Sequence, residues 1–200
     1  MGRGHQAGSA AIESFIEGLR SLSGLIFGGL DLADWRGLIR FVHIAAFLGW
    51  AGPAMGASWF VYVAGWERRK RPEDGELLRR ERWVRRQFNL VVALEHLAFA
   101  TLVVTGLMLM ESVDWAYAGQ SWLGWKLLLV FVIFIPMELL DVILSAWFGR
   151  AMKPDPEAAD SDASTYARAA RVQDLFLRAT IPPVMIGIPV ALYLAVVKPA

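Results

Sequence analysis

The chain has 200 residues, of which 56% are hydrophobic, and a formal net charge of +1. Its length would allow one or two soluble domains, but apolar runs this long and this evenly spread exclude an ordinary globular interior. The absence of cysteine excludes disulfides, thiolate nucleophiles, iron–sulfur clusters and haem tethered covalently at a Cys-x-x-Cys-His site.

Residues 1–10 are polar and glycine-containing, so no cleavable signal peptide is expected. Ile12, Phe15, Ile16, Leu19 and Leu22 then recur at helical spacing, which predicts an amphipathic helix. Such a helix either lies on the membrane surface or braces the bundle or a partner protein.

Four apolar spans follow at about 41–63, 90–110, 125–147 and 181–197, each near the ~20 residues a bilayer requires. Lipid leaves backbone polar groups no partner outside the chain, so all four are expected to be helices. The last carries Pro182, Pro183 and Pro189, which predicts a kink or tilt. The predicted fold class is therefore all-α: an integral membrane four-helix bundle with an N-terminal amphipathic or interfacial helix. The expected domains are an extramembrane segment over 1–36 and a transmembrane domain over 37–200.

The loop after the first span is rich in arginine, from Arg68 to Arg86, and holds a turn signal at Arg71-Pro-Glu-Asp-Gly75. Residues 112–121 contain no Lys or Arg, and the third loop carries Arg150, Lys153, Arg168, Arg171 and Arg178. Loops one and three are expected in the cytoplasm, with both termini outside, in a cell inner membrane. The basic residues lack an interleaved aromatic series, so they read as topology determinants touching anionic lipid and not as a nucleic-acid surface. Residues 153–164 are acidic, small and proline-bearing, and are expected to be mobile, with helical spacing resuming at Ser164.

Of three histidines, His43 and His96 fall in membrane-length runs. An ionisable ring in hydrocarbon is costly and is a functional-site candidate by default. At 1.5 Å per residue, His43 shares an outer depth with Lys126, Met108 and Met110. Glu95, His96, Glu138 and Asp141 form a deeper layer. The two histidines are offset by about 15 Å on the same rise, too far to bind one metal as a pair.

His43 reads either as a ligand or redox residue or as an interfacial hydrogen-bonding histidine. It shares a helix face with Phe47 and Trp50, beside a small-residue stripe of Ala45, Gly49, Gly52 and Gly56. That stripe would admit either a close helix or a flat macrocycle. Lys126 would snorkel to the surface or meet an anionic group. The inner layer permits a proton relay, a carboxylate–histidine metal site, or charges paired with boundary arginines.

One family pattern gathers these residues. His43-Ile44 with Trp50, the stretch Trp59-Phe-Val-Tyr62 with Glu67-Arg-Arg, Trp122-Leu-Gly-Trp-Lys126-Leu, and Arg178-Ala-Thr-Ile-Pro182 with the Val196-Val-Lys-Pro199 tail resemble the HemJ-type membrane protoporphyrinogen oxidases. The chain departs from that pattern at Gly124, where members often carry a histidine, so it resembles a divergent member.

The resemblance implies a four-helix protein that binds haem b and oxidises protoporphyrinogen IX to protoporphyrin IX. It places His43 as the haem-iron ligand, Trp50 and Lys126 at the cofactor, and Lys126 as the catalytic polar contact with the tetrapyrrole. The metal-binding candidates are His43 and His96. Expected partners are the bilayer, a tetrapyrrole, and a second copy or a larger membrane complex. Two alternatives remain open: a non-enzymatic haem-bearing or scaffold subunit of a respiratory or photosynthetic complex, and a metal-handling membrane protein.

Overall fold

The computed structural model describes residues 3–151 and 159–199. Among them there is no strand. Helices run over α1 (Arg3–Phe27), α2 (Arg36–Lys70), α3 (Gly75–Glu111), α4 (Ser121–Leu128), α5 (Ile135–Ala151) and α6 (Ala159–Val197). A π-helical segment, Leu129–Phe134, joins α4 to α5 without a break, so that α4, the π segment and α5 make one rod.

Four helices are long and apolar enough to cross a membrane: α2, α3, the α4–α5 rod and α6. Their exteriors carry exposed Phe41, Ile44, Leu48, Leu90, Leu94, Leu97, Leu140, Ile143, Ile186 and Val190. Glu95 and Arg85 are buried inside. A soluble bundle has the opposite distribution, because water would solvate the charges and drive the leucines inward. Apolar outer surfaces of this kind suit a lipid solvent.

α2 and α3 form the most extensive helix pair, an antiparallel hairpin closed by the turn at residues 71–74. The turn falls on the proline–glycine signal. Asp74 caps α3 by accepting from the Glu76 and Leu77 amides at 3.0 and 3.2 Å, which satisfies two donors that a helix start leaves open. Both helices run past the apolar segment, and ion pairs clip their ends: Arg80–Glu67 at 3.1 Å and Arg68–Glu81 at 3.4 Å. α6 begins at Ala159, ahead of the Ser164 expected, and is assigned as continuous helix through Pro182, Pro183 and Pro189. Residues 153–158 of the acidic stretch lie outside the described residues.

α1 packs at the opposite end, against α3 and α4. Ile16 and Leu19 bury against Trp115, and the Phe15 and Phe131 rings meet edge-on at 5.3 Å. Ser23 Oγ donates to Glu111 Oε2 at 2.8 Å, and Trp115 Nε1 donates to the same oxygen at 2.9 Å. One carboxylate thereby fastens α1 and the loop before α4 to the end of α3.

Candidate functional site

The spans present polar residues in two layers. In the layer nearer α1, termed outer for that position alone, His43 of α2 meets Thr105 of α3, with Nδ1 and Oγ1 3.0 Å apart. The Thr105 hydroxyl donates to the Thr101 carbonyl at 2.6 Å. With that bond kept, the Thr105 oxygen is free to accept from His43 Nδ1–H, and in that tautomer the lone pair is on Nε2. The ring lies against Gly106, where a Cβ would come within 3.3 Å of Cε1. Gly49 brings the same two helices close, since a Cβ there would lie 3.4 Å from the Ala98 methyl. Lys126 is within electrostatic reach of His43 and of Lys198. The Lys198 ammonium stands over the Tyr117 and Trp122 rings at 5.2 and 5.4 Å.

The inner layer centres on Glu138. Its Oε1 accepts from Trp50 Nε1 at 2.6 Å, and its Oε2 lies 2.7 Å from His96 Nδ1. One carboxylate from the third span thus joins the first and second. His96 Nε2 is buried without a hydrogen-bond partner and stands 3.8 Å from Asp141 Oδ2. A cavity of about 50 Å³ opens among all four spans, lined by Ser58 of α2, Glu95 of α3, Glu138 and Asp141 of α5, and Thr180 of α6.

The π segment aims this layer. Ile135 N–H bonds to the Val130 carbonyl, five residues back, where an α-helix would reach four. One extra residue in the turn rotates everything after it by about 100° relative to an unbroken α-helix. Glu138, past the segment, and Phe134, its last residue, face the bundle interior, with Phe134 2% exposed. Pro136 lies two residues beyond the segment and lacks the amide that α-helical bonding needs. That proline is the signal from which a register change was readable.

At the arginine-rich end, Arg85 is 0% exposed. Its Nε and Nη2 donate to Glu81 Oε1 at 3.0 and 2.8 Å, Nη1 to Gln173 at 2.6 Å, and Nη2 to Asp174 at 2.6 Å. Arg69 also pairs with Asp174. Arginines of the first loop therefore form a buried network as well as a charged rim. They pair with Glu67, Glu81 and Asp174, whereas Glu138 and Asp141 face His96.

The sequence candidates thus fall at two depths. His43 and Lys126 lie within electrostatic reach of each other in the outer layer. Trp50 turns its indole N–H inward to Glu138 and joins His96. His43 and His96 do not meet: nine residues of α3 separate Thr105, which holds one, from the other, or about 14 Å of helix rise. Among the described residues, no group of three or more His, Cys, Asp or Glu side chains is arranged to hold a metal ion. No family model, curated protein or solved structure matches the chain.

Proposed function

We propose that this chain is a HemJ-like integral membrane protein that binds haem b in its outer layer and oxidises protoporphyrinogen IX. The observation that carries the reading is the His43–Thr105 pair. A metal-ligating histidine needs one ring nitrogen anchored and the other presenting a lone pair, and second-sphere hydrogen bonds of this kind orient the ring. Thr105 lies 3.0 Å from Nδ1, and the tautomer that donates to it presents Nε2 to iron. Lys126 is the neighbouring cation for a propionate or another anionic edge of a tetrapyrrole. Bound haem would supply one-electron chemistry. Sidedness follows the positive-inside rule: the arginine-rich turns face the cytoplasm and the His43 layer the outer leaflet of an inner membrane, with α1 along that surface.

The decisive measurement is the visible spectrum of the protein purified from haem-replete cells. A Soret band that disappears in folded His43→Ala protein supports the assignment, and a band indifferent to that substitution overturns it. Oxidation of protoporphyrinogen IX, by purified protein or by complementation of a strain lacking that oxidase, then separates an enzyme from a haem-bearing subunit.

The subunit reading has an observation of its own. Beyond the segment of α1 that packs on the bundle, Leu25, Ile26 and Leu30 are exposed at 85%, 55% and 59%. A partner helix at this end would cover them, and co-purification of a second membrane protein that is lost on Leu25→Ser favours that role.

A further inference from the structure

The inner layer holds more negative charge than its visible partners balance. Glu138 is engaged on both oxygens. Glu95 differs from it: its side chain is 6% exposed and lines the cavity, and no hydrogen bond or ion pair from a described residue reaches its carboxyl. The charges it faces across that space, Glu138 and Asp141, have its own sign. His96 Nε2 is likewise unpartnered beside Asp141. The other elements bounding the cavity add Ser58 from α2 and Thr180 from α6, neither of which titrates near neutrality.

Three carboxyls around one cavity, two of them facing a single imidazole, inside a bundle that presents leucine to its surroundings require compensation, because uncompensated charge in hydrocarbon is not sustained. A multivalent metal would need converging ligands, which are not arranged here among the described residues. The smallest compensating species is the proton, with water: a cavity of about 50 Å³ has room for it.

The polar lining of this space continues toward the arginine-rich end. A second, smaller cavity shares Asp141 and Phe176 with the first and continues past Ser145 to Gln173. Ser145 Oγ donates to Asp141 Oδ1 at 3.3 Å, and Gln173 accepts from Arg85. Beyond them Asp174 meets Arg69, whose side chain is 41% exposed at the arginine-rich end. In the opposite direction every span contributes to an apolar plug: Trp50, Phe99, Phe134 and Ile188 pack together, with the Trp50 ring 5.1 Å from Phe99 and 4.9 Å from Phe134.

We infer that Glu95 and Asp141 form a proton-loading site at mid-membrane, filled and emptied only from the arginine-rich face. A proton from hydronium at that face adds to a carboxylate oxygen, leaving water behind, and returns to water by the same route past Asp141, Ser145 and Gln173. Only an O–H bond forms and breaks. The site is built by the polypeptide alone, so its test is independent of haem.

The test is infrared difference spectroscopy of the protein in lipid nanodiscs, between alkaline and acidic buffer, in H2O and D2O. A protonated-carboxyl band that shifts in D2O and is lost in Glu95→Gln is expected. In sealed liposomes of known protein orientation, the band responds to acid on the arginine-rich side only. Should Glu95→Gln fail to fold, a hydrophobic carbodiimide, which adds to a protonated carboxyl, is expected to mark Glu95 in the unsubstituted protein. The inference is overturned by an absent band, a band that survives Glu95→Gln, an equal response to acid on either side, or no carbodiimide adduct at Glu95.

Discussion

Glu138 Oε1 accepts from Trp50 Nε1 at 2.6 Å while its other oxygen meets His96 Nδ1 at 2.7 Å. The third span's carboxylate is therefore the joint between the first two spans. Trp50 is 2% exposed, so the joint is sensitive to the loss of its N–H.

Trp50→Phe keeps most of the ring packing against Phe99 and Phe134 and removes only the N–H. It should cost about 1–3 kcal/mol, the penalty for leaving a buried acceptor unmatched. Thermal or denaturant unfolding in mild detergent measures it. Unchanged stability would mean that the Glu138 bond carries no net energy.

Arg85→Leu should cost up to about 3–5 kcal/mol, because it removes the buried cation that Glu81 and Asp174 share and leaves them only the half-exposed Arg68 and Arg69. Arg85→Lys should recover little, since one ammonium does not reproduce a fork that serves Glu81, Gln173 and Asp174 together. Unfolding of both variants by denaturant, compared at one detergent concentration, decides the point.

A Cβ at Gly187 would lie 2.8 Å from Phe134 Cζ, and that ring is held by Trp50. Gly187→Ala is expected to destabilise by about 1–3 kcal/mol through overpacking. The cost should shrink when Phe134 is also shortened to Leu, so that the two substitutions together cost less than their sum. Strict additivity in a double-mutant cycle would remove the clash as the cause.

Thr105→Val preserves shape but deletes the acceptor that orients His43. On the proposed haem assignment, affinity falls about 10–100-fold, as for other lost second-sphere contacts to metal-bound histidine. Haem titration followed at the Soret band reads the change directly. Wild-type affinity in the Val variant would mean that Thr105 does not position the ring.

Some of this arrangement was legible in the residues. Span positions follow from hydrophobic length, and a fixed rise per residue separated the depth of His43 and Lys126 from that of Glu95, His96, Glu138 and Asp141. Depth says nothing about azimuth. Trp50, on the same helix face as His43 by spacing, directs its N–H to Glu138 instead. Thr105 carried no signal, because a threonine in a span reads the same whether it bonds its own helix or a neighbour's ring. Arg85 counted as a loop cation until α6 was seen to bring Gln173 and Asp174 to it.

The primary structure was enough to indicate four apolar helices and the relative depths of the ionisable residues within them, because both depend on one-dimensional quantities: run length and rise. Tertiary structure decided which groups touch. The π turn before Pro136 reorients the end of the third span, Gly49, Gly106 and Gly187 set how closely the helices approach, and the order of neighbours assigns the partners. These depend on rotation about helix axes and on contacts between residues far apart in the chain, and neither is encoded in local spacing.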